Sequence, residues 1–272
     1  MSLLSPDTLS LYIEPGRIQA VKAVGFGQRP GEVRQRNATV HASDNWQGMS
    51  QVCMELIRHT KVQKVRVVLS DNLARYACFA WRPELRNPDE ELALLKLNFD
   101  DIYGPNSSAD WHFGINAGPP GLNRLSIAIP ASLFAVLQNH FGVGYPKVQS
   151  VQTAFSATLR AHRKQLGPRG WLVNLEQGRL TLGHWQDDSW QWVYSVHAEL
   201  NSPEELIERI RHEIRMSSLS LKPAQPLPIY LHTPAIEHLP FGTIEGVHFI
   251  PLKTLNKDAG AKYAFALLGV KS

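Results

Sequence analysis

The stretch that decides the fold is Leu-Tyr-Ile-Glu-Pro-Gly-Arg-Ile at residues 11–18, because it returns as Val-Asn-Leu-Glu-Gln-Gly-Arg-Leu at residues 173–180. Each copy predicts an apolar strand and a tight Glu-x-Gly-Arg turn. A second strand should then cover residues 18–23 in the first copy and 180–185 in the second. Since one copy opens each half of the chain, the repeat predicts two domains of like topology that face each other.

The composition is that of an ordinary globular protein. The chain has 272 residues, of which 43% are hydrophobic and 19% charged, with a net charge of +4 and a pI near 9.1. This mild basicity permits contact with anionic lipid or nucleic acid but does not imply either. Cys53 and Cys78 lie in apolar runs, which favours a buried structural role in a reducing cytoplasm.

The sequence predicts no membrane-spanning segment. No stretch approaches the ~20 apolar residues that a transmembrane helix needs. The first ten residues lack both a basic region and a long apolar core, so we do not expect a signal peptide there. A role at a membrane would therefore depend on a partner.

The order of elements in the first half indicates a ribonuclease-H-like domain. Strands are predicted at residues 9–13, 18–24 and 36–42, followed by a helix over 44–59 and a continuous apolar strand over 65–69. Three antiparallel strands, a helix and a returning strand are how such domains begin.

An insertion follows, at about residues 74–129. It should contain a strand over 74–81 and a helix that starts at Asn87-Pro88, with Leu92, Leu95, Phe99 and Ile102 as its buried stripe. A hairpin over 111–115 and 124–129 completes it. Helices over 130–140 and 151–165 end the first domain, which we bound at 1–166, before the linker at 167–170.

The second domain, 167–272, repeats the plan in shorter form. Strands are predicted at 171–175, 179–185 and 190–196, then a helix that begins with a capping box at Ser202, and returning strands at 228–231 and 247–250. A last helix over 259–268 is apolar nearly all round, so it should be buried and could pack back on the first domain.

The repeated hairpin, the plan that follows it and the ending Tyr-Ala-Phe-Ala-Leu-Leu-Gly at residues 263–269 resemble the PilM/GspL family. These are bacterial actin-like cytoplasmic proteins of type IV pilus and type II secretion machines. The likeness covers most of the chain as a pattern, and residues 67–71 with Arg75, Tyr76 and Trp81 add to it. It implies two actin-like (ribonuclease-H-like) α/β domains, with ATP held between them in active members.

The two hairpins depart from the pattern of actin-like ATPases. Such enzymes end the first strand of each domain with a magnesium-binding Asp, followed by glycine and small hydroxyl residues that approach the phosphates. Here Tyr12 and Asn174 take the Asp positions, and Glu14 and Glu176 take the glycine positions. Pro15 also removes a backbone donor.

Electrostatic repulsion between the glutamates and the phosphates then argues against nucleotide binding at the hairpins. A carboxylate ~5 Å from a phosphate charge costs ~3 kcal/mol at an effective dielectric of ~20, which outweighs one hydrogen bond. We therefore expect no bound cofactor at the degenerate loops, formed by Glu14, Pro15 and Gly16 in one copy and Glu176, Gln177 and Gly178 in the other. The alternative is that Glu14 and Glu176 bind Mg²⁺ for ATP, as in an active actin-like ATPase or a sugar-kinase-like phosphotransferase.

Other site types find little support. The eleven histidines show no metal-binding spacing, there is no Gly-x-Ser-x-Gly elbow and no phosphate loop, so no catalytic or metal-binding residue is predicted. Trp185, Trp190 and Trp192 could stack on sugar or nucleic acid, but packing is the favoured interpretation. A basic cluster near residues 160–169 is more often a solvated helix end than a site for anionic lipid.

The resemblance assigns partner binding to the insertion. PilM-like proteins use an inserted subdomain to receive a short peptide of a membrane partner, which points to Arg75, Tyr76 and Trp81. The prediction is thus a non-catalytic scaffold in the cytoplasm, peripheral to the inner membrane, that holds the cytoplasmic segment of a pilus or secretion protein. An anionic membrane surface is a further possible contact, and no nucleic acid is expected. The machine, the partner and the oligomeric state are not specified by the sequence.

Overall fold

The computed structural model describes residues 7–24, 29–38, 46–60, 62–85, 87–116, 118–142, 146–200, 202–218, 227–234, 236, 242–244, 247–252 and 264–271. The predicted strand end at Ala42, the helix start at Asp44 and the first five residues of the predicted last helix lie outside this set. The chain divides into two compact units. The first comprises Met1–Ala74, Ile129–Ala161 and Thr254–Ser272, and the second comprises Arg75–Ala128 and His162–Lys253.

The first unit is built on a five-stranded sheet. Its elements in chain order are β1 (Thr8–Glu14), β2 (Arg17–Val24), β3 (Arg29–Asn37), α1 (Gln47–Thr60), β4 (Lys64–Leu69), α3 (Ala131–Gly142), β8 (Lys147–Thr153), α4 (Ala154–His162) and α6 (Ala264–Lys271). The sheet order is β3-β2-β1-β4-β8, with β1 antiparallel to β2 and parallel to β4. This is the predicted order of three antiparallel strands, a helix and a returning strand.

Helix α6 packs on one face of β1, a strand that is buried along its whole length. Tyr12, Val21 and Val68 form one apolar cluster with Phe265 and its neighbours on α6. The Ser10 hydroxyl donates to the carbonyl of Ala266 (2.6 Å). This hydrogen bond satisfies a buried hydroxyl that would otherwise have no partner in this contact. The C-terminal helix is thus part of the core of the first unit.

The second unit contains a six-stranded sheet. Its elements are β9 (Arg169–Glu176), β10 (Arg179–Gln186), β11 (Ser189–His197), α5 (Pro203–Ser218), β12 (Ile229–His232), β13 (Gly242–Ile244) and β14 (Val247–Pro251). The order β11-β10-β9-β12-β14-β13 repeats the start of the first sheet, with β9 antiparallel to β10 and parallel to β12. The repeated hairpin therefore opens both sheets.

The inserted residues form a small layer that packs with the second unit. A three-stranded sheet, β5-β7-β6, consists of β5 (Arg75–Phe79), β6 (Trp111–Ile115) and β7 (Arg124–Pro130), and α2 (Pro88–Tyr103) covers it. Strand β5 lies beside β11. Asn123 joins the layers, because its N–H donates to Ser189 Oγ and its carbonyl accepts from the Trp190 N–H, both at 3.1 Å.

Three predictions of local structure were wrong in part. Residues 151–153, predicted as helix, belong to β8, because pairing in parallel with β4 outweighs local helical spacing. On α2, Leu95 and Phe99 are buried as predicted, but Leu92 and Ile102 are 40% and 53% exposed. A three-stranded sheet is too narrow to cover more of that helix. The third strand also begins earlier than predicted, at Arg29 rather than Arg36.

Candidate functional site

The first hairpin is closed by an ion pair. Glu14 and Arg17 face each other at the end of β1 and β2, and the guanidinium of Arg17 contacts the Glu14 carboxylate. Pro15 and Gly16 form the two-residue loop, with Gly16 at φ 84°, a conformation that glycine adopts at little cost. The Glu14 side chain is only 7% exposed. Glu14 is thus already neutralised by the hairpin that carries it.

Tyr12 occupies the position where an actin-like ATPase needs a carboxylate. Its ring is 1% exposed and stacks on Phe265 of α6, with ring centroids 5.1 Å apart. Its neighbour on β4 is Val68, in the same apolar cluster. This end of the first sheet is therefore filled by hydrocarbon and aromatic rings.

The second hairpin has the same geometry but a different balance of charge. Glu176 and Arg179 face each other, and Gln177 and Gly178 form the loop, with Gly178 at φ 72°. Glu176 is buried, at 3% exposure. Unlike Arg17, Arg179 forms no ion pair with any residue that the structure describes, and its Nε–H is buried without a hydrogen-bond acceptor there.

Asn174, the counterpart of Tyr12, belongs to a buried polar group. The Nδ1–H of His232 donates to Asn174 Oδ1 (2.8 Å), and the ring of His162 lies 5.7 Å from that of His232. Burial, and secondarily the proximity of His162, lowers the pKa of His232 to about 3. The imidazole is therefore neutral at physiological pH and acts as a structural donor.

Register shows that the two sites are equivalent in position and unlike in chemistry. Tyr12 pairs with Val68 across β1 and β4, while Asn174 pairs with His232 across β9 and β12. Neither pair supplies a carboxylate for a metal ion. Within the described ranges, moreover, no group of three or more His, Cys, Asp or Glu side chains could hold a metal.

One buried acidic residue, Asp71, was not predicted from the sequence. Asp71 follows β4, is fully buried and accepts a hydrogen bond from the N–H of Phe155 (3.0 Å) at the start of α4. A carboxylate there satisfies an orphan donor of the helix and favours its positive end. The sequence shows only that Asp71 follows a predicted parallel strand. Its hydrogen-bond partner lies 84 residues away in the chain and could not be identified from local sequence.

The structure places the three candidate partner-binding residues differently. Arg75 is half-buried, and its guanidinium lies over the rings of Tyr103 (4.9 Å) and Trp111 (4.5 Å). Trp81 is partly exposed beyond the end of β5. Tyr76 is 1% exposed, and its backbone N–H and carbonyl both bond the Tyr103 hydroxyl. We therefore leave Tyr76 out of the candidate surface, because its side chain is enclosed in the fold.

The tryptophans of the second unit are packed. Trp185 and Trp190 are 4% and 5% exposed, and Trp192 packs against the core of the six-stranded sheet. The indole N–H of Trp185 donates to the carbonyl of Gly167 (3.1 Å). These contacts leave little ring surface for stacking on a base or a sugar, in line with the packing interpretation.

Comparison with solved structures establishes the fold. The chain aligns with the cytoplasmic domain of EpsL, an inner-membrane component of the type II secretion system of Vibrio cholerae, over 98% of its own length and 95% of that domain (TM-score 0.61, 12% identity). It aligns with the PilM–PilN type IV pilus biogenesis complex over 97% of each chain (TM-score 0.64, 13% identity).

A Bacteroides thetaiotaomicron protein with an actin-like ATPase fold and unknown function is also similar (TM-score 0.58, 11% identity, 97% and 95% coverage). No protein-family model matches the chain, and no curated protein sequence does. The predicted α/β fold with two actin-like domains is thus confirmed, and the chain is PilM/GspL-like in architecture. At such low identity the likeness concerns the fold alone.

Proposed function

We propose that this protein is a non-catalytic scaffold of a type IV pilus or type II secretion platform. It would work in the cytoplasm beside the inner membrane and hold a short cytoplasmic segment of a membrane protein. Two neighbours that share its fold over nearly their whole length serve such machines, which supports the proposal. No described helix is long and apolar enough to cross a bilayer.

The observation that carries the non-catalytic part is the contact between Tyr12 and Phe265. An ATPase of this fold needs a carboxylate at position 12 that is free to reach a metal ion, and here a stacked aromatic ring fills the place. Glu14, the alternative ligand, is already engaged by Arg17. In the second hairpin, the amide of Asn174 is bound to His232. To bind ATP and its metal ion, the first hairpin would have to break the contact between Glu14 and Arg17. The second would have to break the hydrogen bond between Asn174 and His232.

Calorimetric titration with ATP and Mg²⁺ tests this part. We expect no heat beyond dilution at millimolar nucleotide, and a micromolar Kd would overturn it. The variant Tyr12→Asp is a useful companion, because it restores the missing carboxylate. If Tyr12→Asp bound nucleotide and the wild-type chain did not, the Tyr12 ring stacked on Phe265 would be the reason that the wild-type chain does not bind it.

The scaffold part is tested with a partner. The cytoplasmic segment of a membrane protein encoded by a neighbouring gene, made as a labelled peptide, should bind the purified chain. Trp81→Ala should weaken this binding at least tenfold, since aromatic residues dominate such contacts. Met216→Ala removes another exposed apolar side chain, on α5, and should leave binding unchanged. Failure of every such peptide to bind the wild-type chain would contradict the scaffold role.

A further inference from the structure

Two aromatic side chains of the six-stranded sheet bind both backbone polar groups of one residue, Gly167, which lies between α4 and β9. Its N–H donates to the hydroxyl of Tyr230 on β12 (2.9 Å). Its carbonyl accepts from the indole N–H of Trp185 on β10 (3.1 Å). We call Tyr230 and Trp185 the Tyr–Trp latch, because together they hold the segment that leads into β9.

The latch depends on a second glycine, in the central strand of the sheet. Strand β9 lies between β10 and β12, and Gly170 of β9 pairs with Trp185 of β10. A Cβ at position 170 would lie 2.9 Å from Cε2 of Tyr230, so the absent side chain leaves room for that ring. Tyr230 therefore stacks on Trp185 across β9, with ring centroids 5.8 Å apart. At 5% and 4% exposure, the two rings are a buried part of the sheet.

The segment that the latch holds is otherwise lightly attached. We call residues 163–168 the strap. Among these six residues, all of which the structure describes, Leu166 alone is buried. The carbonyl of Pro168 accepts from the N–H of Asp187 (2.8 Å), in the turn between β10 and β11. The strap thus covers little apolar surface, and most of its side chains face solvent.

An ion pair adds little to the attachment of the strap. The guanidinium of Arg163 contacts the carboxylate of Asp188 in the same turn, but the two side chains are 53% and 58% exposed. Exposed pairs of this kind contribute little to stability, whereas the hydrogen bonds to Gly167 are made by buried side chains. The latch is therefore the main polar contact between the strap and the body of the sheet.

We propose that the strap opens and closes as one unit while the six-stranded sheet stays folded, and that the Tyr–Trp latch sets how often it opens. Segments with few buried apolar contacts are the ones that unfold locally at low free energy. Opening removes the strap from the rings of Tyr230 and Trp185, so a ligand that contacts those rings would favour the open state. The strap lies outside the inserted layer, and its opening does not depend on the scaffold role.

Hydrogen exchange of the full chain, followed for single amides by NMR, tests whether opening is local. The Gln165 amide reports on the strap, because it donates to the carbonyl of His162 (2.7 Å) and not to the latch. The Val173 amide, in the central strand β9, reports on unfolding of the sheet. After correction for intrinsic rates, Gln165 should exchange at least about a hundredfold faster than Val173. Equal rates would show that the strap opens only with the sheet and would overturn the proposal.

The variant Tyr230→Phe tests the latch, because it removes the acceptor and keeps the ring. Exchange at Gln165 should become about tenfold faster, as expected for loss of one hydrogen bond, and exchange at Val173 should not change. Trypsin cleavage after Lys164, mapped by mass spectrometry, should accelerate by a similar factor, since cleavage of a native chain follows the population of the open form. The matched control is Tyr194→Phe, at a 41% exposed position on β11, which should behave as wild type.

A second variant breaks the same contact from the other side. In Gly167→Ala the new Cβ would lie 3.0 Å from the Tyr230 hydroxyl, so it should push the strap away and speed exchange at Gln165. The double variant with Tyr230→Phe should exchange no faster than the faster single variant, and multiplicative effects would contradict the latch. The proposal is also overturned if both single variants, folded by circular dichroism, leave exchange at Gln165 unchanged or speed Gln165 and Val173 equally.

Discussion

Gly269 of α6 lies so close to Ser10 of β1 that a Cβ at position 269 would be 2.1 Å from the Ser10 Oγ. The same hydroxyl donates to the Ala266 carbonyl, one turn earlier on α6. Only a residue without a side chain lets the helix reach the strand at this depth. The stacking of Phe265 on Tyr12 depends on that approach, because both contacts lie along the same face of β1.

Gly269→Ala should therefore destabilise the chain. In an exposed helix this change would gain about 1 kcal/mol, but here the overpacking should cost about 1–3 kcal/mol or more. Urea unfolding monitored by circular dichroism measures the difference. Adding Ser10→Ala removes the closest atom, so the double variant should recover part of the loss, and strictly additive effects would contradict the contact.

Alanine substitution should destabilise the chain to a similar extent at either of the two turn glycines. Gly16 and Gly178 have φ of +84° and +72°, where an L side chain costs about 1–2 kcal/mol. Alanine at either position should lower the free energy of unfolding by that amount, although neither site is sterically crowded below 3.4 Å. Gly114→Ala is the control, since its φ is not in the left-handed range and nothing lies within 4 Å. Equal stability of all three variants would argue against the turn geometry.

Stability should fall as the pH is lowered through the acidic range. The pKa of His232 is about 3 in the folded chain, because of burial and of nearby His162, against about 6.5 when unfolded. Between these values the unfolded chain binds the extra proton, so the free energy of unfolding drops by roughly 1.4 kcal/mol per pH unit from this group. Burial lowers the pKa of His184 to about 4, which adds to the trend.

Thermal unfolding from pH 7 to pH 4 measures this dependence. His232→Gln should flatten the profile, because the group that takes up a proton on unfolding is gone. His59→Gln, at an exposed site on α1, is the matched control for loss of an imidazole. A wild-type stability that is constant across this range would contradict the buried neutral state of His232.

Both thiols should be inert in the native chain. Burial raises the pKa of Cys53 and of Cys78 to about 12, so the thiolate that attacks disulfides is nearly absent at pH 8. We expect labelling by DTNB to be at least a hundredfold slower than that of free cysteine. In guanidinium chloride both should react fully, and rapid native labelling of either would show that it is accessible.

Prediction from the sequence worked where local chemistry decides the outcome. Asn87 accepts from the Asp89 N–H (2.9 Å) and Ser202 from the Glu205 N–H (3.2 Å), so both helix starts lie where capping residues indicated. The succession of most strands and helices along the chain followed from the hydrophobic runs and the repeat. Strand β8 was not predicted, because its residues carry no local strand signal. They form a strand because they pair with β4.

The candidate site was only half predictable. The sequence located both hairpins and the loss of the acids at positions 12 and 174. It could not indicate that Phe265, at the other end of the chain, covers Tyr12, or that His232 binds Asn174. Nor could it indicate that the guanidinium of Arg75 lies over the rings of Tyr103 and Trp111. These pairings join segments far apart in sequence, where periodicity carries no information.

The sequence by itself determined the architecture, because a repeated strand-turn-strand phrase and apolar runs of strand length leave few ways to bury their surface. It also determined that the hairpin ends carry no acid at the positions where a metal would be bound. Only the tertiary structure decided what fills those positions and which charged side chains pair with each other. The physical reason is that burial and charge pairing depend on every side chain within a few ångströms, and folding, not chain order, chooses those neighbours.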